Sequence, residues 1–240
     1  MSTPKSFTLS SSWCVALILL FFVTCTGLGF WQLQRAHVKE AILADFKRRI
    51  QAKPFDENTL PAQGDLRFYP VEIKGHYDYD HPLLLDNKTH EGRLGYELYV
   101  PFKPENATEL ILVDQGFIPR GSSRQTLPTL PTTSKALTTV KGLLNLPPAY
   151  FALGSMLEQS AVHWPLRIQY VDLIELSRVT QRTFFPFVIL AGDSVTSFQA
   201  EQMVTITPDR HRGYALQWFA LALTLLVLSA LSMRGIKNKE

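Results

Sequence analysis

Residues 13–35, WCVALILLFFVTCTGLGFWQLQR, decide how the chain is organised, together with a second run near the other end, residues 211–234, HRGYALQWFALALTLLVLSALSMR. No charged residue occurs between Lys5 and Arg35, nor between Arg212 and Arg234. An apolar helix needs about 20 residues to cross the hydrocarbon core of a bilayer at about 1.5 Å per residue. Both runs reach that length, so each reads as a membrane anchor. A cleaved signal peptide does not fit the first: its apolar run far exceeds an ordinary signal core, and no Ala-x-Ala-like site ends it. A lipoprotein signal at Cys25 fails because Phe22, Val23 and Thr24 include bulky residues where a small one is required.

Working outward, the tails set the orientation. Lys5 and the α-amino group lie on one tail, and Arg234, Lys237 and Lys239 face a single acid, Glu240, on the other. Basic residues in short flanking segments stay cytoplasmic, whereas long connecting domains translocate largely regardless of charge. Both termini are therefore expected in the cytoplasm. The net charge of +3 over 240 residues resides in these tails, and the segment between them is balanced, so it is a topology signal and not a nucleic-acid footprint. The expected layout is a cytoplasmic tail over 1–12, a first transmembrane helix over 13–33, an extracytoplasmic domain over 34–212, a second transmembrane helix over 213–233, and a cytoplasmic tail over 234–240. The short N-terminal tail lacks arginine, which speaks against a transit peptide and for a bacterial inner membrane with a periplasmic central domain.

That central domain contains no cysteine, since both cysteines, Cys14 and Cys25, fall in the first anchor. Disulfide frameworks, thiolate metal sites and cysteine-pair copper relays are excluded there. From Arg35 to Ile50 the apolar positions Val38, Ile42, Phe46 and Ile50 recur every four residues among basic ones, which predicts an amphipathic helix continuing the anchor. Pro54 and Pro61 end it. The period then changes to two: Val71, Ile73, Gly75 and Tyr77 alternate with polar residues, as do Tyr96, Leu98 and Val100, and Leu110–Ile118 is an apolar run. These are expected strands, with further candidates at Thr138–Leu146, Phe184–Leu190 and Met203–Thr207. Asp172–Gln181 reads as a short helix capped by Asp172, with Glu175 in capping-box position. The segment Pro119–Lys135 reads as a long exposed loop. The expected fold class is membrane α+β: two transmembrane helices flank a mainly antiparallel β domain, a sandwich or partial barrel, with one or two helices.

No hydrolase elbow, phosphate loop, zinc-protease or dinucleotide motif occurs, so an enzyme is not expected. His76, Asp78, Asp80 and His81 form the densest polar cluster, read as a solvated hairpin end in preference to a metal site. In the second anchor His211, Tyr214 and Trp218 sit at i, i+3 and i+7 and share one helical stripe, with Arg210 and Arg212 at its outer end. Such a stripe is ordinarily the aromatic belt of a membrane interface. Its functional alternative is a porphyrin site, because imidazole ligates haem iron, aromatic rings pack on the macrocycle and arginines pair with propionates. The first anchor leaves the membrane on the same side through Trp31, Gln32, Arg35 and His37, so packed anchors would bring both sets to one pocket.

Taken together these segments resemble the surfeit-locus-one family of cytochrome c oxidase assembly proteins. The resemblance rests on Gly29-Phe-Trp31-Gln32-Leu-Gln-Arg35 with Lys39, on Pro70-Val71-x-Ile73-x-Gly75-x-Tyr77, on Gly92-x-x-Gly95-Tyr96 leading to Pro101-Phe102, on Leu112 to Pro119, and on His211-x-x-Tyr214-Ala215-x-Gln217-Trp218-Phe219. One departure stands out: Asp114-Gln115-Gly116 replaces the family's Asn-Arg-Gly. The resemblance implies a non-enzymatic assembly factor that binds haem a and assists its insertion into the catalytic subunit of a haem-copper oxidase. His211 matches the family's histidine ligand and is the expected metal ligand. Tyr214, Trp218, Arg210, Arg212, Trp31, Gln32 and Arg35 are the expected cofactor-binding neighbours, with His37 a weaker candidate. The implied partners are the oxidase catalytic subunit, the haem a synthase and membrane lipid, with no nucleic acid. The alternative is a purely structural scaffold for an oxidase intermediate that binds no haem. An envelope sensor is disfavoured because the tails are too short for an output domain.

Overall fold

A computed structural model of the chain describes residues 11–61, 63–121, 127, 128, 130, 136–151, 154–157, 162–192 and 205–237. The side chains of residues 11, 12, 14 and 233–237 lie outside that description. The chain divides into two compact units, one of residues 1–44 with 200–240 and one of residues 45–199.

The first unit contains one apolar helix and most of the other, whose last turns belong to the second unit. α1 runs unbroken over Ser11–Ile50 and α3 over Pro208–Lys237, both long and apolar enough to cross a membrane. The anchor and the amphipathic continuation expected from the sequence are thus one helix, with Pro54 beyond its end. Pro208 opens α3 at a position where its missing N–H costs nothing, and Thr207 Oγ1 accepts from the Arg210 amide at 3.4 Å.

The second unit is a seven-stranded sheet in the order β1-β5-β7-β4-β3-β2-β6. Its strands are β1 (Pro70–Tyr77), β2 (Leu83–His90), β3 (Arg93–Pro104), β4 (Leu110–Pro119), β5 (Thr138–Asn145), β6 (Leu166–Ile168) and β7 (Phe184–Ala191). β1 pairs with β5 along most of its length and with β3 at Gly75–Tyr77, so five strands close into a ring and β2 and β6 extend it. The result is a partial barrel. Most pairings are antiparallel, but β4–β7 and β2–β6 run parallel. Gly75 stands where β1 meets both neighbours. A Cβ there would run into the Lys103 carbonyl oxygen and the Phe102 ring, which explains a glycine inside an otherwise regular strand.

Both faces of the sheet are covered. Ile73, Phe102, Ile111, Val113, Val140, Leu144 and Ile189 fill the ring, and Leu83, Leu85, Tyr99, Leu112, Val188 and Leu190 pack on the other side against α2 (Leu173–Thr180). Burial of alternate residues on opposite sides explains why β4 and β7 read as continuous apolar runs. On the extension, Leu84, Tyr96, Leu98 and Val100 pack with the half-buried Leu127 and Leu130. Of the expected 119–135 loop, Pro119 and Gly121 are exposed, Arg120, Leu127, Pro128 and Leu130 are half-buried, and residues 122–126, 129 and 131–135 lie outside the described residues. Leu127 and Leu130 cover part of an apolar face that would otherwise meet water.

Three further expectations are corrected. Asp172 caps α2 by accepting from the Ile174 and Glu175 amides, both at 2.9 Å, but Glu175 does not complete a capping box: its carboxylate accepts from the Tyr170 hydroxyl at 3.0 Å. Of the expected strand at Met203–Thr207, residues 203 and 204 lie outside the described residues and 205–207 form no strand. β2, not anticipated, carries Asp86-Asn87-Lys88 at a β-bulge that interrupts the alternation, and joins β3 through a two-residue turn with Glu91 at φ 50° and Gly92 at φ 76°.

Candidate functional site

The candidate site is built on the first unit. Cys25, Gly29 and Ala36 of α1 are buried, and with Gln32 they recur at intervals of four, three and four residues, one helical stripe. On α3 the buried residues are His211, Ala215 and Ala222. Small residues let two backbones approach closely where lipid provides no hydrophobic drive between helices. Residues 29 and 30 meet Phe219, with the Phe30 and Phe219 rings edge-on at 5.3 Å, whereas Gln32 and Glu40 farther along α1 meet His211 and Arg212 at the start of α3. The two helices therefore pack antiparallel along this seam.

His211 is 6% exposed, and its Nδ1 lies 2.6 Å from Gln32 Oε1. A polar side chain in an apolar helix pair is costly unless partnered. Gln32 provides that partner across the seam. The expected set otherwise divides. Trp31 and Tyr214 are 48% and 43% exposed, and Trp218 is half-buried. Arg35 places its guanidinium 5.7 Å from the Trp31 ring centroid. Arg212 is held by Glu40 and by Asp209 at 3.0 Å, and Arg210 is exposed. His37 is exposed and lies 3.4 Å from Glu40. The structure brings His211 and Gln32 together, while Arg212 already carries carboxylate partners. Glu40 was not anticipated. It is the first acidic residue of the chain and sits one helical turn beyond Ala36, yet spacing within one helix cannot reveal a partner on another.

In the second unit the His76–His81 cluster resolves into a structural tie. The Asp78 carboxylate accepts from Arg182 Nη1 at 2.6 Å and contacts His81 Nδ1 at 2.8 Å, and the His81 ring stands edge-on to Trp164. Burial raises the Asp78 pKa, but the Arg182 and His81 bonds outweigh it and leave the carboxyl below its ordinary value. Gln115, the departure from the family pattern, donates from Nε2 to the Tyr79 hydroxyl at 2.8 Å. Burial pushes the neighbouring Tyr77 hydroxyl up to about 12. An uncharged amide thus occupies the place of the expected arginine among tyrosines.

Comparison with known proteins agrees with this architecture. The model of the SURF1 family matches residues 19–223, which takes in most of α1, the whole sheet and the first half of α3. A SURF1-like protein of Rickettsia felis is 25% identical over 92% of this chain and 96% of its own length, and one of Monosiga brevicollis is 23% identical over 89% and 85%. The mouse Surfeit locus protein 1 is 31% identical over 43% of this chain; that alignment spans about two fifths, 39%, of the mouse protein. With two paired apolar helices, a partial barrel formed by the sequence that separates them and a family match over residues 19–223, the chain belongs to the SURF1 family.

Proposed function

We propose that the protein is a membrane-bound assembly factor for cytochrome c oxidase that holds haem a at His211 and passes it to the catalytic subunit. The observation that carries this reading is the single histidine buried in the seam of two apolar helices, with one ring nitrogen engaged by Gln32. The donor set suits the cargo. Neutral imidazole is a common axial ligand of haem iron, and Tyr214 and Trp218, three and seven residues on along α3, lie on the same helical stripe and offer flat apolar surface. A single imidazole also suits a carrier, which must release what it binds. Family membership supports the oxidase role, since the resemblance carried by the Trp31-Gln32 and His211–Phe219 motifs implies it. Balanced charge in the middle and basic tails support cytoplasmic termini, a periplasmic sheet and a bacterial inner membrane. The haem a synthase is the partner expected to supply the cargo.

Protein purified in detergent from cells that make haem a is expected to show an imidazole-ligated iron spectrum, lost in His211→Ala. A wild type with no such band would end the haem reading.

One observation favours a scaffold that binds no haem: Arg212, an expected propionate partner, is already held by Glu40 and Asp209. That reading expects normal haem content of the oxidase in a His211→Ala strain and lost assembly after substitutions on the sheet surface.

A further inference from the structure

We infer that Gln32 is a positioning residue that fixes the tautomer of His211, so that Nε2 is the nitrogen presented to a metal. This rests on the reading of His211 as the haem ligand, and it adds the device that makes the ligand competent.

The argument starts from the 2.6 Å contact between His211 Nδ1 and Gln32 Oε1. A carbonyl oxygen of a carboxamide accepts hydrogen bonds and cannot donate them. With the Gln32 amide oxygen facing it, Nδ1 carries the proton; the flipped amide, with its NH2 facing Nδ1, would give the opposite tautomer, which the labelled-histidine signals distinguish. A neutral ring has only one N–H, so the lone pair is on Nε2. Free imidazole side chains exchange between both forms, and the Nε2–H form cannot bind a metal through Nε2. Holding Nδ1–H removes that fraction and makes Nε2 a better electron donor, the role that outer-shell partners play at metal-bound histidines.

The placement of the two residues matters as much as the bond. Gln32 is on α1 and His211 on α3, 179 residues apart. The tautomer is consequently set only while the helices are paired. Gly29 against Phe219 and Glu40 with Arg212 hold the seam on the two sides of the contact along α1. Parting the helices would withdraw the acceptor, return the ring to mixed tautomers and weaken the ligand. An amide acceptor polarises the ring less than a carboxylate does.

The test uses the full chain in detergent, labelled with 15N-histidine and free of haem. The His211 signals are identified by their loss in His211→Ala. The wild type is expected to show protonated Nδ1 and unprotonated Nε2. Gln32→Leu and Gln32→Met should return the ring to mixed tautomers, and Gln32→Glu, which keeps an acceptor, should restore the Nδ1–H form. A wild type with protonated Nε2, or tautomers unchanged in both apolar variants, would overturn the proposal. Titration with haem a gives the second readout: loss of the acceptor should weaken binding about 10- to 100-fold, with recovery in Gln32→Glu. Nδ1–H in the wild type without any imidazole–iron band would sink the haem reading while supporting the Gln32–His211 assignment.

Discussion

The Phe219 ring occupies the place where a side chain on Gly29 would begin: a Cβ built on Gly29 falls 2.5 Å from Phe219 Cε1. The glycine is needed for space and not for conformation, because α1 is regular there. Gly29→Val should force the ring aside and separate the helices, costing about 1–3 kcal/mol as overpacking does. Thermal unfolding in detergent should show the loss, and Phe219→Ala combined with Gly29→Val should recover part of it. Equal destabilisation with and without Phe219 would show that the ring is not what Gly29 accommodates.

Glu40 and Arg212 join the same two helices through an ion pair whose side chains remain 36% and 50% exposed. Solvent and salt screen such a pair, which limits it to about 0.2–1 kcal/mol. Glu40→Gln should lower the melting temperature only slightly, and the difference from wild type should vanish at high salt. A salt-independent loss would point to packing of the Arg212 stem instead.

Asp78 and Arg182 lie 104 residues apart in sequence and 2.6 Å apart in the fold. Because the Asp78 pKa is lowered in the native state, the tie contributes fully above the unfolded carboxylate value and is lost as pH falls through the folded one. In Arg182→Met the burial penalty meets less compensation, so acid unfolding should begin at higher pH than in wild type. Replacing Asp78 with Asn should remove that difference between the two backgrounds. Acid-unfolding midpoints followed by circular dichroism measure both.

Asp172 caps α2 and also accepts from the Tyr150 hydroxyl at 2.6 Å. That bond is the main cause lowering the Asp172 pKa and raising Tyr150 to about 12. Asp172→Ala should cost about 1 kcal/mol through the lost cap. Asp172→Asn keeps a capping oxygen but not the charge, so Tyr150 should ionise nearer its ordinary value of about 10 in an ultraviolet titration. The native contribution of the pair is present above the unfolded Asp value and below the unfolded Tyr value. It fades as pH falls through the lowered Asp172 pKa or rises through the raised Tyr150 pKa.

Much of this architecture is written in local pattern. Uncharged runs long enough for a bilayer, the four-residue period of Val38, Ile42, Phe46 and Ile50, the two-residue period around Val71 and the Asp172 cap each depend on neighbours in the chain. They were legible because solvation and backbone geometry act over a few residues. β2 was not, because its bulge at Asp86–Asn87 breaks the alternation, and a bulge is fixed by the partner strand. The covered face under Leu127 and Leu130 was hidden for a similar reason: a Ser/Thr/Pro-rich segment reads as solvated until an apolar patch elsewhere claims its leucines.

For the candidate site the division is sharper. Sequence alone singled out His211 and Gln32 as members of two motifs and assigned both to one cargo. Only the tertiary structure set one against the other at 2.6 Å and turned Arg212 toward Glu40. A hydrogen bond between side chains 179 positions apart depends on the distance between two helix axes, which small residues at Cys25, Gly29 and Ala36 determine jointly with Ala215 and Ala222. No property of either helix by itself contains that distance.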